Sequence, residues 1–167
     1  ATQASGEARQ AANRAEAVAA FLVSVLSRAN ADAGGNPRET KLVDALDVSA
    51  EQIDAAFADE PEVEAAVRQA IGLAYLSLTE FKRAETHLRR TAELFRIHRG
   101  AEHVDVAEAE GALGRALEGQ GRLEEAEPLL RRSLRSARAR SAPSAELTAA
   151  LNNLAALLEA RGDLDTA

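Results

Sequence analysis

The sequence predicts an all-α chain: a right-handed solenoid of stacked antiparallel helix pairs, repeating about every 42 residues. Three observations predict it. Residues 65–98 and 107–140 are two copies of one pattern, identical at ten positions under a shift of 42, among them Gly72/Gly114, Ala84/Ala126, Leu88/Leu130 and the Arg pairs 89/131 and 90/132. A third copy follows at a shift of 41, pairing Ala109 with Ala150, Leu113 with Leu154, Leu117 with Leu158 and Gly121 with Gly162. Within a copy, apolar residues recur at helical spacing in two runs, Val67, Ile71, Ala74, Tyr75 and Leu78, then Phe81, Ala84, Leu88, Ala92 and Phe95. A unit of this size cannot bury its own apolar face, so a fixed period in this range points to units stacked on one another.

Residues 1–6 are small and polar and are expected to form a disordered tail. From Glu7 the residues Ala8, Ala11, Ala15, Val18, Leu22, Val25 and Ala29 follow a heptad seam. This helix either packs as the first element of the array or pairs weakly with a second copy. Gly34 to Pro37 make a loop, and Thr40 is the expected N-cap of the next helix. Leu42, Leu46, Ser49, Ile53 and Phe57 share a face and are read as one helix, although Ser49 and Gln52 could form a capping box that breaks it. Residues 7–60 are thus expected to be a degenerate helix pair that caps the array.

Pro61 suits the first turn of the following helix, with Asp59 and Glu60 before its positive end. Repeats are expected at 61–102, 103–143 and, truncated, 144–167, with helix breaks near 79, 100, 121, 142 and 162. Gly72, Gly114 and Ala155 would let one helix approach another closely. Pro128 is placed near the end of a first helical turn or just beyond it, where one hydrogen bond is lost.

At these residues a family resemblance emerges. Ile71-Gly72 with Tyr75, then Ala84 and Leu88, resembles the tetratricopeptide pattern, as do Leu113-Gly114 with Leu117, then Ala126 and Leu130. The long period and the loop Gly100 to Ala107 resemble the kinesin-light-chain-like branch, with Val104 where Pro is usual. The stretches Arg14 to Leu22 and Phe57 to Tyr75 resemble the C-terminal region of bacterial membrane-anchored serine/threonine protein kinases. What this resemblance implies is a protein-interaction module, the sensor or docking region of such a kinase, lying outside the cytoplasm and joined to the membrane by a segment upstream. The alternative is the same fold in another signalling protein, a transcription regulator or a cyclase. No Met, and a third copy that breaks off, are expected of a piece of a longer protein.

Composition bounds the chemistry. A net charge of −7 argues against a nucleic-acid surface, and the absence of Cys removes thiolate metal sites. No nucleophile elbow, phosphate-binding glycine loop or zinc-protease motif is present, so neither enzyme activity nor a cofactor is expected. His98 and His103 flank a loop beside Glu102 and Asp105 and read as loop-fixing or solvated rather than metal-binding. The Arg stripes of the second helices, and acids such as Glu108, Glu110 and Glu127, read as solvated surface, or for the arginines as a strip for an acidic partner.

Function is therefore sought on the inward side of the first helices, as an array of this kind implies. The candidates are Gln69, Leu73 and Leu76 in the first repeat, Glu108, Arg115 and Glu118 in the second, and Asn152 and Glu159 in the third. Amides at Gln69 and Asn152 could hydrogen-bond an extended peptide backbone. The expected partner is a protein or peptide, with a weak homodimer through the first helix as a further expectation.

Overall fold

The computed structural model describes residues 2–31, 38–140 and 145–162. Eight helices run in order: α1 Thr2–Ala31, α2 Arg38–Ala50, α3 Ile53–Ala56, α4 Pro61–Ser77, α5 Phe81–Arg99, α6 Val104–Glu118, α7 Leu123–Ala139 and α8 Ala145–Arg161. Among the described residues there is no strand, and no helix is long and apolar enough to cross a membrane. The chain divides into two compact units, Ala1–Ile71 and Gly72–Ala167.

In the first unit α1 packs on α2. The helix starts at Thr2, so the expected disordered tail is helical from its second residue. The heptad seam is not the packed face. Val25 is buried, but Ala15 and Leu22 are exposed, while Ala17, Val18 and Phe21 are half-buried, so the covered side is rotated toward 17, 18, 21 and 25. The side chains of Ala8, Ala11 and Ala29 lie outside the described residues.

Thr40 lies inside α2 rather than capping it. The helix expected from there to Phe57 is instead two, interrupted at Glu51 and Gln52. Ser49 lies inside α2 rather than at a helix start, and its hydroxyl donates back to the Ala45 carbonyl at 2.8 Å. Serine in a helix commonly bonds backward in this way. Ile53 can then reach the core as the first residue of the short α3.

The second unit contains the repeated pattern from Gly72 onward. Here α5 packs on α6, α6 on α7, and α7 on α8, with α6 also touching α8. Small residues at one depth make this possible. A Cβ placed on Gly72 would stand 2.6 Å from Leu88 Cγ, and one on Gly114 would stand 2.7 Å from Leu130 Cδ2. The two contacts are the same contact 42 residues apart, as the self-similarity predicts. Tyr75 stacks on His87 at 5.6 Å, and both are core residues. Pro128 is the sixth residue of α7, in its second turn, and the helix continues through it.

The helix ends also repeat. Glu80 N–H donates to the Tyr75 carbonyl at 2.9 Å and Thr79 N–H to that of Leu76 at 3.1 Å. Forty-two residues on, Arg122 N–H donates to Leu117 at 2.9 Å and Gly121 N–H to Glu118 at 2.8 Å. This pair of bonds closes a helix when the residue after its end turns left-handed.

Candidate interaction face

The first helices α4, α6 and α8 carry the candidate residues. On α4, Gln69 is half-buried and Leu73 is 40% exposed, the latter an uncovered hydrocarbon. Arg115 on α6, and Asn152 and Glu159 on α8, are exposed, and these two helices touch. Glu118 is half-buried one turn from Arg115; burial pushes its carboxyl above the usual range, and the Arg115 charge partly opposes this. Glu108 is exposed and accepts a hydrogen bond from Arg140 at 3.2 Å, so it is tied to a second helix.

Leu76 is a correction. It is only 6% exposed and belongs to the core. It sits in the last turn of α4, where the Leu76 carbonyl accepts from Thr79 and the chain doubles back into α5. An apolar side chain there gains by being covered, whereas Glu118 and Glu159 at the matching places stay wetter. Gln69 falls in the first unit and the other candidates in the second.

Between successive repeats runs a polar staple. Glu85 on α5 accepts hydrogen bonds from Arg89 at 2.6 Å, from Gln120 at 2.9 Å and from Arg122 at 2.7 Å. In the next repeat, Glu127 accepts from Arg131 at 2.8 Å and from Arg161. Glu127 and Arg131 are the copies of Glu85 and Arg89 at a shift of 42, and Arg161 is the copy of Gln120 at 41. One carboxylate per second helix thus clamps the end of the next first helix.

Residues 62–139 match the tetratricopeptide repeat family. A solved structure, BtubC (BKLC) from P. vanneervenii, superposes with a TM-score of 0.61 at 22% identity, over 77% of this chain and 52% of that one. This chain therefore spans about half the length of that protein, and the likeness is one of fold. No curated protein sequence matches the chain. The fold is an all-α tetratricopeptide-like solenoid, and the matched repeats are of a kind that serves as a non-catalytic interaction module.

In these tetratricopeptide-like repeats the second-helix arginines are largely occupied. Arg89 and Arg131 complete the staples, and Arg90 pairs with Glu93 at 2.8 Å. Glu110, expected on the surface, is a further correction: it is 1% exposed and accepts from Arg96 at 2.5 Å and Arg132 at 2.9 Å, all through Oε1, while Oε2 has no hydrogen-bond partner. Its partners come from helices on either side of α6, so neither lies near it in sequence. His103 caps α6, its Nδ1 accepting from Asp105 N–H at 3.2 Å, the loop-fixing role expected of it. Among the described residues no group of three His, Cys, Asp or Glu is placed to hold a metal ion.

Proposed function

We propose that this chain is a protein-interaction scaffold that holds a partner segment along the first helices of its repeats. The supporting observation is that Leu73, Arg115, Asn152 and Glu159 on the first helices are exposed while first-helix neighbours such as Ile71, Leu113 and Leu158 are buried. An exposed large apolar side chain, a cation, an amide and an acid on these helices suit an extended peptide, whose backbone takes hydrogen bonds from the amide and whose side chains find mixed contacts. The test is capture of partners from native lysate. Leu73→Glu with Asn152→Ala is expected to lose partners that Arg138→Ala keeps. Retention by the first variant and loss by the second would overturn the placement.

Its finer role is that of the sensor or docking region of a bacterial membrane-anchored serine/threonine kinase. Support comes from the resemblance carried by Arg14 to Leu22 and Phe57 to Tyr75. On this reading the module lies on the outer side of the membrane, and weak pairing through α1 lets partner binding bring two kinase domains together. The residues encoded upstream of Ala1 test the kinase: catalytic-loop and metal-binding kinase motifs followed by an apolar span are expected, and a winged-helix or cyclase segment overturns it. Sedimentation at up to roughly hundreds of micromolar tests the pairing, which a strict monomer would exclude.

A further inference from the structure

A cleft of about 540 Å³ opens in the second unit between the start of α6 and the C-terminal half of α7. One wall is the loop and first turn with Glu102, His103, Val104 and Ala107; the other carries Arg132, Arg135 and Arg140. The face described above lies on the first helices, and none of its exposed residues lines this cleft.

The three arginines are not equally engaged. Arg132 shares the Oε1 atom of Glu110 with Arg96, so two cations meet one buried carboxylate and Glu110 keeps a partner if Arg132 turns away. Arg140 reaches Glu108 at 3.2 Å and Glu146 at 3.5 Å, in side chains about two-fifths to one-half exposed. Ion pairs this exposed are worth at most about 1 kcal/mol and exchange readily for another carboxylate. Arg135 is exposed and makes no ion pair or hydrogen bond among the described residues. The cleft is thus lined by three arginines and one acid, Glu102, and Arg135 is the arginine with no ion pair among the described residues. The positive end of α6 adds to the same field.

We propose that this cleft binds an acidic peptide segment in extended form, with carboxylates on alternate residues. Arg132 on α7 and Arg140 at its C-cap are eight residues apart, about 12 Å at 1.5 Å per residue. An extended strand covers that distance in about four residues and presents every second side chain to the same side. Its carboxylates meet the guanidinium groups, and its small side chains rest on Val104, Ala107 and Ala139. A volume of this size belongs with ligand-binding clefts rather than with a site for one small ion.

The experiment uses the whole chain and a fluorescein-labelled hexapeptide of alternating Asp and Ala, read by polarisation at low salt. The peptide binds, and its Asn-for-Asp counterpart does not. Arg135→Ala weakens binding about fivefold, the loss expected for one ion pair of an exposed side chain, while thermal melting is unchanged because Arg135 is exposed and makes no ion pair or side-chain hydrogen bond among the described residues. Arg138→Ala, which removes the same charge from α7 outside the cleft, changes affinity less than about twofold. Equal losses in the two variants would show a diffuse field and overturn the proposal. So would equal binding of the Asn peptide, or displacement by inorganic phosphate at concentrations matching the peptide, which would make this a small-anion site.

Discussion

Thr79 stands where Gly121 and Gly162 stand in the next two repeats, and all three have left-handed backbone, at φ 58°, 74° and 77°. Glycine enters that region freely, whereas a β-branched residue is strained there. The strain is held in place by the two hydrogen bonds that close α4. Thr79→Gly is expected to stabilise the chain by about 1 kcal/mol, the left-handed penalty less the added freedom of the unfolded glycine. Gly121→Thr is expected to lose about 1–2 kcal/mol. Urea midpoints at unchanged slope check both. If the two swaps shift stability in the same direction, the equivalence of the turns is wrong.

Gly114→Leu should destabilise by about 1–3 kcal/mol or more, since a side chain is forced against Leu130, which is itself buried. The gain in helix propensity over glycine, about 1 kcal/mol, is too small to cancel this. Leu130→Ala in the same chain should recover part of the loss, and simple additivity of the two would mean that they do not touch.

The Glu85 staple predicts an acid limb. Burial on its own would push this carboxyl up, but hydrogen bonds from Arg89, Gln120 and Arg122 outweigh it and hold it at about 2, below the ordinary 4.5. A carboxyl lowered by folding stabilises at neutral pH, and that stabilisation fades as pH falls from about 4.5 toward about 2. Glu85→Gln should therefore be less stable than the parent at pH 7, with the gap closing below pH 3. A gap independent of pH between about 7 and 2 would sink this reading.

Glu110→Leu should leave stability unchanged or raise it. The buried Oε2 has no partner, while Arg96 and Arg132 are nearly half exposed and can return to water. Replacing a buried ion pair by hydrocarbon is often neutral or favourable by about 1–4 kcal/mol. A loss greater than about 3 kcal/mol by chemical denaturation would show instead that the carboxylate clamps α6 to its neighbours.

The repeat was readable because Gly72 and Gly114 answer a steric demand that only the smallest residues satisfy, and such demands leave the same letter at the same place. The break near 79 was legible, but the left-handed backbone of Thr79 was not, because hydrogen bonding, not residue type, fixes it there. Glu110 was read as surface because a lone acid in a strongly charged chain carries no mark of burial; its partners sit 14 and 22 residues away. The break before α3 was missed because the apolar spacing through Ile53 runs on across it, and Leu76 because the register of a helix says nothing of what folds over its last turn. Leu73, Arg115 and Asn152 were legible as exposed because their helical phase sets them off the apolar stripe.

One position in the first helix changes character from copy to copy. It is Arg68 in the first, bonded to Glu64 at 2.7 Å and to Asp54; Glu110 in the second, between two arginines; and Leu151 in the third, 41% exposed. A chain that carries near-copies of itself faces a sorting problem as it folds, since each segment can settle on the wrong neighbour, and misassembly of this sort is characteristic of repeat proteins. A buried cation, a buried anion and a partly exposed hydrocarbon at equivalent positions would act as addresses. A segment displaced by one unit would bring Glu110 to the place beside Asp54, where a like charge is repelled, or bring Leu151 against arginines that have lost their carboxylate. Near-copies of one sequence would then still differ at the residue that a wrong pairing meets first.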